Sequence, residues 1–236
     1  MAVTEKPPGK GRLGTRFRGK LASAYGQRAH HESNLWYVYS PRTNSDWVLR
    51  GDLEWDHFVL SESDVRIKNI DFSPAPVAGV FDDGTHYRTI LDAVVTYHDG
   101  AIEWREVKPL DASRSRTERQ HRAQLEATRV AKVAYTRWTE VELHANPLKL
   151  ANWRRAIAWM AAARDYPLAL QRTDLAGYLH IHETVTLGDL ALYVGDAAFP
   201  LFMAAALRSV QSGDCLSDLD INPLSNRTVL TRAGGA

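Results

Sequence analysis

Residues rich in β-branched and aromatic side chains lie on either side of one Asp-Gly dipeptide in the middle of the chain. They run from Tyr87 to Tyr97 and from Ala101 to Lys108, around His98-Asp99-Gly100. This pattern predicts an antiparallel hairpin. Upstream, Leu49, Leu53 and Leu60 recur at helical spacing, with Glu54 on a flank of the stripe and Asp56 expected to point into solvent. Downstream, Ser113 to Val133 reads as a helix, and Val133 to Leu143, with Tyr135 and Trp138, as a returning strand. Strand, helix, hairpin, helix and strand over residues 36–145 imply a mixed sheet flanked by helices, an α/β arrangement.

From Leu148 the pattern turns helical. Leu150, Trp153, Ile157 and Met160 make one stripe of a connecting helix, which Tyr166-Pro167 ends. Thr173 is expected to cap a short helix reaching about His180. Thr186 and Asp189 form a capping box for the next, which Gly195 closes. A third helix is expected from Asp196, holding Phe202, Ala206 and Val210 and closed by Gly213. Two short strands around Asn222-Pro223 complete a winged-helix order. The third helix offers only Arg208, and the wing region carries Asp214, Asp218 and Asp220. That charge pattern favours a protein partner over DNA, and removal of residues 165–236 is expected to leave the rest folded.

The length of the central turn decides where the hairpin's charges meet. A two-residue loop would set Asp92 opposite Val107, whereas a three-residue loop with Gly100 in a left-handed position sets it opposite Glu106. Side chains alternate with period two, so Asp92, Glu106 and Lys108 then share one face. Two carboxylates and an ammonium beside Ile90 and Val94 are costly to desolvate unless something binds them. A hard divalent cation, Mg²⁺ or Mn²⁺, suits paired carboxylates and keeps water positions open for a phosphate. A lysine on the same face can steady an attacking water or the charge growing on the phosphate.

Composition narrows the classes. A chain of 236 residues can bury one sizeable core and a smaller second one. The single cysteine, Cys215, excludes an internal disulfide and suits a cytoplasmic protein. No apolar run approaches the ~20 residues that span a bilayer. Residues 1–20 hold Lys6, Lys10, Arg12, Arg16, Arg18 and Lys20 against Glu5, a balance of +5 in a chain of formal charge +1. Such an arm is drawn to phosphates. Arg119, Arg122 and Arg129 belong to a basic helix that could lie along a DNA backbone, and Gln120 and Gln124 are within possible reach of the metal site. His180 and His182 lack a third ligand at zinc spacing. Ser40, Ser61 and Ser113 lack a nucleophile elbow. Trp36 and Trp104 are candidates to border a substrate groove.

Asp92, a gap, then Glu106-Val107-Lys108 resembles the PD-(D/E)xK nucleases. More specifically, the chain resembles the TnsA-type endonuclease subunits of heteromeric bacterial transposases. The resemblance is carried in order by Leu35–Arg42, Asp52–Phe58, Asp92–Lys108, Ala134–Glu140 and Leu216–Ser225. It departs at Leu91, where relatives carry proline, and at Trp55, where many carry arginine. The resemblance implies a restriction-endonuclease-like mixed sheet and a C-terminal winged-helix-like part. It divides the chain into a basic arm (1–34), a nuclease domain (35–147) and a connecting helix with a partner-binding domain (148–236). It also implies catalytic Glu54, Asp92, Glu106 and Lys108, with Mg²⁺ (Mn²⁺ substituting) held by Asp92, Glu106, the Val107 carbonyl and Glu54. Cleavage would fall at the 5′ ends of a transposable element in double-stranded DNA, beside a DDE transposase and an AAA+ ATPase regulator that docks on the C-terminal part. Two other readings stay open: a non-catalytic adaptor with a nuclease-like fold, and a free-standing restriction or repair nuclease.

Overall fold

The computed structural model describes residues 34–111 and 114–234. Chain order begins with an antiparallel hairpin of β1 (Leu35–Ser40) and β2 (Ser45–Arg50), followed by α1 (Asp52–Ser63). Then come β3 (Ile67–Asp71), a small hairpin of β4 (Val77–Val80) and β5 (His86–Thr89), and the central hairpin of β6 (Ala93–Tyr97) and β7 (Ile102–Val107). Helix α2 (Arg114–Ala131) carries the chain to β8 (Ala134–Trp138), which pairs parallel to β7. The main sheet has the order β3-β6-β7-β8, antiparallel except for that last pair. A helical crossover is what a parallel pair requires. The fold is therefore mixed α/β, as the residue pattern implies.

Two faces of β7 serve two helices. Arg105 donates to Ser61 Oγ on α1 (3.2 Å), while Glu106 accepts from Gln124 on α2 (2.6 Å). Alternation along one strand thus directs one set of side chains into the core and the next toward α2.

The C-terminal half contains α3 (Glu140–Leu143), α4 (Pro147–Ala162), α5 (Ala169–His182), β9 (Thr184–Thr186), α6 (Leu187–Val194), α7 (Phe199–Ser212), β10 (Cys215–Ser217) and β11 (Val229–Arg232). The last three strands form a small sheet ordered β10-β11-β9. The α4 stripe is as expected: Leu150, Trp153, Ile157 and Met160 are all buried. Thr186 and Asp189 make the reciprocal capping box, and Gly195 and Gly213, both at positive φ, close α6 and α7. One hydrophobic core runs without interruption from Val38 through Phe58 and Trp153 to Leu230, across the boundary drawn at residue 148. A second, smaller core under the β4–β5 hairpin joins Phe81 and Tyr87 to Ala123 and Ala127 of α2.

Several local expectations are corrected. Leu49 lies in β2, and α1 has no single apolar stripe, because its C-terminal half is enclosed on all sides: Asp56 through Val59 and Ser61 through Ser63 are buried. Asp56 is not solvated. It is 4% exposed and is paired with Arg154 of α4 and with His144 Nε2 at 2.9 Å. The returning strand stops at Trp138, since Thr139 and Glu142 form a capping box that turns the chain into α3. Helix α5 begins at Ala169, two residues after Pro167 and with Leu168 as its N-cap, and Thr173 lies inside it. Helix α7 begins at Phe199 rather than Asp196, with Pro200 in the first turn, where its missing N–H costs nothing. Among the described residues, no helix is long and apolar enough to cross a membrane.

Candidate functional site

The central turn contains three residues. Tyr97 N–H donates to Ala101 O (2.9 Å), Gly100 N–H donates to Tyr97 O (3.1 Å), and Gly100 takes φ 89°. The resulting register sets Ala93 opposite Arg105 and Val95 opposite Glu103, and Asp92, in the bend just before β6, donates its amide to Arg105 O (3.2 Å). The three charged side chains meet accordingly. Lys108 Nζ lies 2.8 Å from Glu106 Oε1 and 3.9 Å from Asp92 Oδ2. The Val107 amide donates to Asp92 Oδ2 at 2.7 Å, while the Val107 side chain is buried.

Helix α2 supplies a second layer. Gln120 Nε2 donates to Glu106 Oε1 at 3.0 Å and Gln124 Nε2 to Glu106 Oε2 at 2.6 Å. Tyr135 of β8 donates to Gln124 Oε1 (3.0 Å), which fixes the orientation of that amide, and His121 Nδ1 lies 3.3 Å from the Tyr135 hydroxyl. Glu106 is 2% exposed, so these donors replace water at a carboxylate that would otherwise be stranded. Glutamines four residues apart on one helix face carried the signal for this layer. Tyr135 had none, because the parallel register of β8 places it, and His121 is picked out only by its closeness to Tyr135.

Glu54 approaches from the first turn of α1. Its Oε2 accepts the Arg50 amide at 2.8 Å. That turn is held by Asp52, which accepts from Asn34 Nδ2 and Trp36 Nε1 (both 2.9 Å), and by Trp36 stacked on Trp55 at 5.2 Å. Trp36 therefore braces the helix start, and Trp104 packs against the Phe81–Tyr87 core.

The electrostatics of the cluster are those of crowded like charges. Burial, then the Asp92 carboxylate, pushes Glu54 up to about 7. The same two causes push Glu106 up to about 7, against the opposing pull of Lys108 and Gln124. Asp92 is also raised by burial, with Lys108 and the Val107 amide pulling the other way. At Lys108, burial favours the neutral amine, but Asp92, Glu106 and Glu54 outweigh it and hold the ammonium above its ordinary value. A divalent cation would relieve this repulsion, and the donor set of carboxylates and main-chain carbonyl is the hard-oxygen type that Mg²⁺ takes. Among the described residues, however, no three His, Cys, Asp or Glu side chains converge as a ready-made cage. Asp92 and Glu106 are the paired core, and Glu54 stands at its edge.

The remaining sequence candidates separate. Lys10, Arg12, Arg16, Arg18, Lys20 and the side chain of Arg119 fall outside the described residues. Arg122 pairs with Asp83 (3.4 Å) and covers the Phe81 ring, and Arg129 pairs with Glu126 (2.6 Å). In the C-terminal part, Arg208 is turned inward onto Gln211 (2.6 Å). The acids there have local partners: Asp214 pairs with Arg172, Asp218 accepts the Val229 amide (2.9 Å), and Asp220 pairs with Lys149 (2.9 Å). His182 lies against the Tyr178 ring at 4.5 Å. No protein-family model matches the chain and no curated protein does either, so the side chains themselves carry the functional argument.

Proposed function

We propose that this chain is a metal-dependent deoxyribonuclease of the PD-(D/E)xK kind, acting as a TnsA-type subunit that cuts the 5′ ends of a transposable element. The observation that carries the reading is the meeting of the Asp92, Glu106 and Lys108 side chains where β6 begins and β7 ends, with Glu54 beside them. A mixed sheet with α1 and α2 on opposite sides supports a restriction-endonuclease-like core. The order α5, β9, α6, α7, β10, β11 supports a winged-helix-like C-terminal part. In that part α7 is buried along most of its length and its one arginine faces inward, which favours a protein partner such as an ATPase regulator over a DNA groove.

Asp92, Glu106 and the Val107 carbonyl would hold Mg²⁺ or Mn²⁺, with Glu54 adjacent. When bound, such an ion supplies charge neutralisation at a phosphate and lowers the pKa of water. Lys108 is the only ammonium against both carboxylates, among the described residues, and is placed to stabilise negative charge on a phosphate or its attacking water. Gln120 and Gln124 hold Glu106 in orientation. Element-end recognition and the DDE transposase partner come from the family resemblance alone. The adaptor reading draws on one observation, the absence of a closed three-ligand group among the described residues.

Cleavage of labelled duplex DNA in Mg²⁺ or Mn²⁺, with and without the neighbouring transposition proteins, tests the proposal. Asp92→Ala is expected to lower cutting by roughly two orders of magnitude or more while leaving the fold intact. Lys108→Ala should abolish cutting while calorimetry shows Mn²⁺ affinity unchanged or tighter, because a competing positive charge is gone. Undiminished cutting by Asp92→Ala would remove the hairpin from the chemistry, and no cutting by wild type under any of these conditions would leave the adaptor.

A further inference from the structure

We propose that the outer face of the β4–β5 hairpin is the track along which a nucleic-acid strand reaches Asp92, with Arg88 and His86 holding its phosphates. This rests on the nuclease reading above and adds to it the path of the substrate.

Burial alternates along the segment that leads into the site. Tyr87, Thr89 and Leu91 point inward, while His86, Arg88 and Ile90 point out. Ile90 is 56% exposed, an unusual position for isoleucine two residues from a buried carboxylate cluster. On β4 the residues opposite Arg88 and His86 are Ala78 and Val80, both exposed. The outer face thus sets one guanidinium and one imidazole among small apolar side chains. Both side chains can donate to phosphate oxygens, the contacts that position a nucleic-acid backbone.

A groove of about 500 Å³ runs between β5 and α2, from His86 past Ile90 to Gln120. Its far wall is part of the site, since the Gln120 amide donates to Glu106. Thr89 lines the groove at 4% exposure, and among the described residues its hydroxyl has no hydrogen-bond partner, leaving a polar group for a ligand to satisfy.

Charge assigns the occupant. Among the described residues neither Arg88 nor His86 is paired with a carboxylate. The acids at the hairpin tip, Asp82 and Asp83, are met instead by Arg129 (3.9 Å) and Arg122 (3.4 Å) of α2. Two of the basic helix residues that the sequence marks for DNA, Arg122 and Arg129, thus face acids of the hairpin tip. Among the described residues two arginines without a carboxylate partner border the site: Arg137, opposite Glu106 and bonded to the Pro109 carbonyl, and Arg88, which stands exposed on β5 with His86 beside it.

The test uses the full-length chain and a fluorescein-labelled random-sequence duplex of about 30 base pairs, long enough to cover a typical interface, in EDTA so that nothing is cut. Arg88→Ala is expected to weaken binding and to reduce the slope of log affinity against log salt by about 1, the loss of one phosphate contact. Arg88→Lys should restore most of that slope, and Arg122→Ala should change it less than Arg88→Ala. Circular dichroism and calorimetric Mn²⁺ binding should match wild type, because Arg88 is exposed and outside the carboxylate cluster. If wild type binds and cuts DNA but Arg88→Ala and His86→Ala keep its salt slope, the track is elsewhere and the nuclease reading stands. If wild type neither binds nor cuts, both fall together.

Discussion

Glu54 and Glu106 reach about 7 because burial, and then the Asp92 carboxylate, oppose their ionisation. In the metal-free protein this sets a direction for stability. Between the ordinary glutamate range near pH 4.3 and about pH 7, the folded chain retains protons that the unfolded chain has released. The contribution is complete below the lower value and is lost as pH rises through the higher one. Urea midpoints should therefore fall across that window, and Glu106→Gln should flatten the fall. Saturating Mn²⁺ should reverse it, because the cation replaces the protons, and calorimetry in buffers of different ionisation heat should show protons released on binding. A midpoint that rises with pH without metal would mean that the carboxylates are not crowded.

The hairpin was legible as an element from its Asp-Gly turn and flanking strands, but its loop length was not: alternation leaves two- and three-residue loops open, and the Tyr97–Ala101 closure decides for three. Helix α1 was legible as a helix but not in its surroundings, because a stripe reading assumes one wet face and α1 has almost none beyond its first turn. The same assumption misplaced Asp56, whose partners Arg154 and His144 lie 98 and 88 residues away. No local pattern signals a bond at that separation. This ion pair should respond unequally to loss of its two members. Arg154→Ala leaves Asp56, with a side chain 5% exposed, to His144 alone, whereas Asp56→Ala leaves an arginine already 44% exposed that water can solvate. The first change is expected to cost about 1–3 kcal/mol, the penalty for an undercompensated buried polar group, and the second clearly less. Equal losses in denaturant melts would contradict the burial asymmetry. Strand β9 was missed for another reason: three residues are too few for alternation to register.

At the scale of the whole molecule, the C-terminal part is not an appendage. Phe202, Met203, Ala206 and Leu207 of α7 lie in the same core as Phe58 and Val59 of α1. Glu62, fully buried, accepts from Ser40 at 2.5 Å and from Gln211 of α7. Removal of residues 165–236 is therefore expected to expose this core and leave Glu62 short of a donor. The truncated chain should aggregate or lose its cooperative melt, contrary to the independence that the sequence suggests. Limited proteolysis would oppose this expectation if it released a stable fragment ending near residue 164. The grip on α1 has a mechanical meaning as well. Twelve residues make a rod about 18 Å long. It is clasped near its far end by Gln211 and at mid-length by Arg154, and it carries Glu54 at the tip beside Asp92. Under the proposed reading, a partner that displaced α7 would move the handle of a lever whose working end is Glu54, and docking would then change the spacing of the acids.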